Sequence, residues 1–160
     1  MSDTSADGVD AVLAEFSGQS SSPSWALIHS ASCPYPSNLR ERMLSIAQGE
    51  AAPAAAVLEL AEAITEQQAN AAEACDPERS ASLVGCHGQT IWHRPPDYDA
   101  KGKRRRGSSW QMLQATLLAQ MLQRPVIHDF RAADLALGGQ GAPLVPMADA
   151  ALMGLSLIHI

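Results

Sequence analysis

The sequence predicts an α/β fold, and three observations carry that prediction. Residues 82–86 and 125–128 are short apolar runs, each suited to a buried strand. An alanine-rich stretch over 51–75 carries an apolar face at helical spacing. Strand and helix patterns then alternate along the chain, the arrangement that packs helices against a sheet.

The elements follow in order. Residues 9–16 and 25–30 read as strands, and the Ser/Gly/Pro-rich stretch 17–24 between them makes a hairpin. Leu39, Met43, Leu44 and Ile46 recur at helical spacing over 38–47, with Ser37 as the expected N-cap. Val57, Leu58, Leu60, Ala61 and Ile64 mark the apolar face of the long helix 51–75. The run 82–86 ends at His87. Residues 95–107 are expected to be a loop, 113–122 a helix and 125–128 a second buried strand. Residues 131–137 and 144–153 suggest two further helices.

Length and composition narrow the function classes. A chain of 160 residues suits one domain with a real core. The net charge of −6, from 11 basic against 17 acidic side chains, argues against a general binder of polyanions. Cys33, Cys75 and Cys86 are odd in number, widely spaced and free of any CxxC pattern, which argues against a disulfide scaffold or a zinc site and suits a reducing cytoplasm. No basic-then-apolar leader opens the chain, and no apolar stretch is long enough to cross a membrane.

Five segments are candidates for chemistry. Gly138-Gly139-Gln140-Gly141-Ala142-Pro143-Leu144 puts almost no side chain between backbone and ligand, and Pro143 constrains the exit. His87 and Gln89, and then Asp129, Arg131 and Asp134, each follow the end of an expected strand. Strand C-terminal ends are where open α/β sheets bind ligands. Each group also has a plainer use: His87 and Gln89 as partners of local backbone, Asp129 as a helix cap. Thr4-Ser5-Ala6-Asp7-Gly8-Val9-Asp10 offers hydroxyls and backbone N–H groups to a phosphate, and Asp7 or Asp10 could bind a hydrated magnesium ion. Lys101, Lys103, Arg104, Arg105 and Arg106 form a basic cluster. Without interleaved aromatics it offers no stacking surface for nucleic acid, so a solvated loop is the simpler expectation.

These segments resemble the anhydro-N-acetylmuramic acid kinase family, bacterial sugar kinases of the actin-like ATPase superfamily. Residues 1–10 resemble the family's nucleotide-phosphate loop, 86–90 its SHGQT segment, and Asp129-Phe130-Arg131 with Asp134 and residues 138–146 its DFR…D…GGQGAPLVP run. The resemblance implies an actin-like (ribonuclease H-like) N-terminal lobe, a mixed sheet with flanking helices, incomplete and lacking its first strand. That lobe spans residues 1–154, and 155–160 read as a non-native tail. It also implies a kinase that uses ATP and Mg2+, opens the 1,6-anhydro ring of the sugar with water, and phosphorylates the freed 6-hydroxyl. Asp3, Thr4, Ser5, Ala6, Asp7, Gly8, Val9 and Asp10 would face the nucleotide. His87, Gln89, Arg131, Asp134, Gly139 and Gln140 would line the sugar side. The family's catalytic base falls beyond this chain, and a homodimer of the full-length protein is compatible with the resemblance.

The sequence departs from the family at two places in these motifs. Asp3 stands where the family usually has glycine, which adds a negative charge beside the phosphates. Leu113-Gln114-Ala115 stands where the family usually has Gly-[Asp/Asn]-Pro.

Overall fold

The computed structural model describes residues 6–19 and 22–144. Asp3, Thr4 and Ser5, the expected helix 144–153 beyond its first residue, and the segment 155–160 lie outside the described residues.

The hairpin is present and longer than the sequence suggests. Strand β1 (Gly8–Gln19) pairs antiparallel with β2 (Ser22–Pro34), from Gly8 opposite Pro34 to Gln19 opposite Ser22. The Ser/Gly-rich residues keep the ladder going to its tip because small polar side chains do not obstruct backbone pairing. The register shifts between Leu13 and Ala14, so β2 carries one extra residue there.

Helix α1 (Ser37–Ala47) buries Leu39 and Met43. Ser37 is not its N-cap: Pro36 holds that position and no side chain caps the helix. The Pro36 carbonyl accepts from the N–H groups of Leu39 and Arg40 instead, both at 3.0 Å. Helix α2 (Ala54–Cys75) begins after Pro53 rather than at residue 51, because a residue preceding proline is pushed out of helical geometry.

Helix α2 is the centre of the molecule. Leu60, Ile64 and Ala71 join one buried cluster with Val9, Tyr35, Leu39, Met43, Ile91 and Met112. Ala69 joins a second with Leu118 and Leu122 of α3 (Ala115–Leu122), against which Val84, Cys86 and Val126 pack. Thr65, fully buried, links α2 to α3. Its hydroxyl donates to the Ala61 carbonyl (2.7 Å) and accepts the Gln114 N–H (2.9 Å) at the start of α3. That contact explains why α3 begins at Ala115 rather than at residue 113.

The expected buried strands shrink to β3 (Val84–Gly85) and β8 (Val126–Ile127), which pair in parallel. They are not fully buried: Leu83 and Ile127 are about half exposed. Two more strands lack a clear apolar alternation in sequence, β4 (Gln89–Arg94) and β7 (Ser108–Met112), an antiparallel pair. The expected loop 95–107 holds a short ribbon, β5 (Asp97–Tyr98) against β6 (Arg104–Arg105). Helix α4 (Ala132–Ala136) is shorter than the expected 131–137. Among the described residues the strands form four two-stranded sheets rather than one mixed sheet.

Leu60 and Ile64 have no exposed surface. Leu60→Ala should therefore cost about 2–5 kcal/mol, as for other fully buried aliphatics. Exposed Glu59 one position earlier should tolerate alanine within about 0.5 kcal/mol. Thermal melts of the two variants check this, and equal melting temperatures would refute the placement of α2 at the core.

Candidate functional site

Parallel pairing of β3 with β8 carries both chains out of the sheet in the same direction, so the residues after each strand meet. The Arg131 Nε donates to His87 Nε2 across 3.3 Å. The Phe130 ring stacks on the His87 imidazole, with centroids 6.2 Å apart and planes 7° from parallel. The Thr90 hydroxyl lies 3.4 Å from the same His87 nitrogen.

With Nε2 accepting from Arg131, His87 is neutral and its proton sits on Nδ1. That nitrogen is buried and has no hydrogen-bond partner among the described residues, and His87 as a whole is only 7% exposed. Leaving a buried donor unmatched typically costs about 1–3 kcal/mol, so the position suits a ligand acceptor. Burial and then the Arg131 charge hold the His87 pKa below its usual 6.5. Burial also lowers the Arg131 pKa. It pushes the Cys86 thiol up, which leaves that neighbour protonated and a poor nucleophile.

The glycine-rich turn is fastened to this cluster by two side chains. The Asp134 carboxylate accepts the Gly141 N–H at 2.7 Å, and its backbone carbonyl accepts the Gly139 N–H at 2.8 Å. Arg131 Nη1 donates to the Gly141 carbonyl. A Cβ at Gly139 would overlap the Asp134 carboxylate, so only glycine allows this approach. Gly141 adopts φ +67°, the left-handed region glycine favours. Asp129 is not the cap of α4: Arg131 occupies that position.

Of the expected acceptor-side residues, the structure brings together His87, Arg131, Asp134 and Gly139. Gln140 is exposed on the same turn. Gln89 is buried two residues from His87 and donates to the Thr90 carbonyl at 3.2 Å. Sequence reasoning missed Phe130 and Thr90 as direct neighbours of His87. Phe130 lies between two residues already singled out, Asp129 and Arg131, and an aromatic there was the available signal.

At the other end, Ala6 is buried with φ +51°, an uncommon conformation for alanine. Asp7 and Asp10, the magnesium candidates, both have protein partners. Asp7 faces Arg40 at 3.2 Å, and Asp10 accepts from Ser32 Oγ at 2.7 Å. Among the described residues no three His, Cys, Asp or Glu side chains form a metal cluster. A magnesium ion held mainly by phosphates and water needs few carboxylates, and exposed Asp7 would have to release Arg40 to serve as one.

A groove of about 990 Å³ lies between β1 and the segment 79–88 that ends in His87 and Gly88. Val9 and Asp10 lie along one wall, Cys86, His87 and Gly88 along another, with Gln68, Leu118 and Leu122 below. No described helix is long and apolar enough to cross a membrane.

The frame is α/β, with a glycine turn and a neutral histidine beside an arginine, and comparison with known proteins identifies the family. The family model for anhydro-N-acetylmuramic acid kinase matches residues 1–157. The chain is 68% identical over 157 residues to the anhydro-N-acetylmuramic acid kinase of Synechococcus sp. (strain WH7803), covering 96% of this chain and 41% of the relative. It is 63% identical to that of Prochlorococcus marinus (strain MIT 9303) and 56% identical to that of strain MIT 9211, each over 154 residues, 96% of this chain and 39% of the relative. The chain belongs to the anhydro-N-acetylmuramic acid kinase family. It spans about 40% of the length of the curated relatives it matches. The match includes residues 155–157, the start of the segment expected to be a tail.

The depressed His87 pKa sets a pH dependence. Between the folded value and 6.5 the unfolded chain binds a proton that the folded chain does not. Stability should thus rise with pH through that window, level off above about 6.5, and fall on acidification. His87→Gln should reduce this slope. An NMR titration placing the His87 pKa at or above 6.5 would refute the geometry.

Proposed function

We propose that this chain is the N-terminal lobe of an ATP-dependent anhydro-N-acetylmuramic acid kinase that acts in the cytoplasm in murein recycling. Water adds to the anomeric carbon, the bond to the bridging oxygen breaks, and the freed 6-hydroxyl takes the γ-phosphoryl group of ATP. ADP and the 6-phosphorylated sugar leave. The observation that carries this reading is the meeting of His87, Arg131, Asp134 and the glycine turn beyond two parallel strands.

In this reading residues 3–10 meet the nucleotide phosphates, with Asp7 or Asp10 beside Mg2+. Asp7 or Asp10 would help hold that ion, which would supply charge neutralisation at the phosphates. His87, Gln89, Arg131, Asp134, Gly139 and Gln140 hold the sugar. Neutral His87 donates from Nδ1 to a sugar oxygen, and Arg131 adds a fixed positive charge. The glycine turn lets backbone groups approach the ring. Family resemblance puts the catalytic base outside this chain, so the lobe positions the acceptor and the other lobe completes the reaction.

The actin-like lobe, residues 1–154, needs one more strand. Among the described residues β1 pairs only with β2, and β3 only with β8. The groove between them is lined by apolar Val12 and Leu83, and by Gln68, whose buried Oε1 has no partner among the described residues. A strand supplied by residues preceding Met1 would satisfy both edges and join the pairs into one mixed sheet. Amide exchange over residues 9–16 should slow when that segment is added to the chain. Unchanged exchange in a folded, extended protein would overturn the assignment.

The activity itself is tested by coupled ADP release from the full-length enzyme, with the anhydro sugar and with glucose. Release should require the anhydro sugar, and residues 1–160 alone should match the no-enzyme control, since transfer needs nucleotide, acceptor and base held together. A preference for glucose, or no sugar-dependent release by the full-length enzyme, would defeat the proposal.

A further inference from the structure

The basic segment 101–106 was expected to be a solvated loop, yet one of its arginines reaches the glycine turn. Arg104 Nη2 donates to the Gly138 carbonyl at 2.7 Å, across 34 residues of sequence. Gly138 itself has φ +90°, and a Cβ there would come within 3.3 Å of the Arg104 guanidinium. Arg104 is therefore laid closely over a turn whose backbone angle favours glycine.

A second contact lies two residues past β6. Gly107 sits so close to Leu135 of α4 that a Cβ would lie 2.6 Å from its Cδ2. The same Leu135 lies under Gly141, where a Cβ would meet its Cγ at 2.8 Å. Leu135, 8% exposed, is thus gripped between Gly107 and the turn. Across the ribbon, Arg105 Nε donates to the Asp97 carboxylate at 2.8 Å, which closes β5 on β6 and fixes the strand that carries Arg104.

We propose that Arg104 is a positioning residue for the acceptor pocket: the 97–105 ribbon clamps the glycine turn from outside while Asp134 and Arg131 hold it from within. Its charge acts on the Gly138 carbonyl rather than on the sugar. With Arg104 gone, Gly138 loses its outer tether, and the turn keeps only its inner bonds, among them those to Asp134 and Arg131. The inference rests on the reading that this turn lines the sugar site, but the clamp itself is a property of the turn.

The experiment uses the full-length enzyme carrying Arg104→Ala, Arg104→Lys or Lys101→Ala. Lys101 is an exposed cation at the tip of the same ribbon and controls for loss of one positive charge. Arg104→Ala should raise KM for the anhydro sugar about fivefold, the loss of one modest hydrogen bond, with kcat and KM for ATP within twofold. It should also speed amide exchange at Gly139 and Gly141. Arg104→Lys, which keeps a single donor, should restore part of both effects, and Lys101→Ala should change neither. Unchanged exchange in folded Arg104→Ala would overturn the clamp. Faster exchange with unchanged KM would overturn its role in the pocket. If Arg104→Ala does not fold, Arg104→Lys carries the test, and wild-type exchange and KM there, together with that loss of fold, would make Arg104 a structural residue and end the proposal. An inactive wild-type enzyme would instead count against the function, and the exchange result would still decide the clamp.

Discussion

Two backbone hydrogen bonds set the geometry on which the site depends. The Val84 N–H donates to the Pro125 carbonyl at 3.0 Å, and the Cys86 N–H to the Ile127 carbonyl at 2.9 Å. Because the pairing is parallel, both strands deliver their next residues at the same end, His87 from one and Asp129 to Arg131 from the other. Antiparallel pairing would send those segments to opposite ends. A two-residue parallel pair does not stand alone in water. It persists because Val84, Cys86 and Val126 pack on Ala69 of α2 and on Leu118 and Leu122 of α3. The core beneath the site is thus what aligns it, and Thr65 holds the two supporting helices in step.

How much of this was legible in the sequence depends on which force set each feature. Helices α1 and α2 were legible because burial imposes a 3.6-residue period on Leu39, Met43, Leu60 and Ile64. Their starts were less so. Pro36 and Pro53 set them through backbone geometry, while the sequence pattern favoured Ser37 and Ala51. The convergence of His87 with Arg131 was anticipated from strand ends alone. Strands β4 and β7 were not read as a pair because their sequences, QTIWHR and SSWQM, lack alternation. Trp92 and Trp110, opposite each other in the ladder, are both largely exposed, so burial gave no periodic signal there.

The basic segment shows a different limit. Its composition, five cations among 101–106, correctly predicted exposure of every residue in the run. Composition could not show that Arg104 and Arg105 have fixed partners, because Gly138 is distant in sequence and Asp97 is one acid among 17. The two glycines within and just after the cluster also have different roles. Gly102 has φ +74° with open space around it, as suits a tip. Gly107 is instead a packing contact, required by Leu135 rather than by the turn.

The electrostatics of the site follow from this arrangement. Arg131 is partly desolvated, and no described carboxylate pairs with it directly. Its Nη1 and Nε are spent on a carbonyl and a neutral imidazole. A guanidinium so placed keeps most of its charge for whatever enters beside it, because neutral acceptors screen it less than an ion pair would. Asp134, the nearest acid on α4, spends its carboxylate on the Gly141 N–H instead. The turn therefore separates the acid from the base that would otherwise neutralise it. Burial and then the Arg131 charge keep His87 neutral. Under the function proposed above, a lobe holding a sugar while a negatively charged phosphoryl group arrives would benefit from a neutral histidine beside the Arg131 charge.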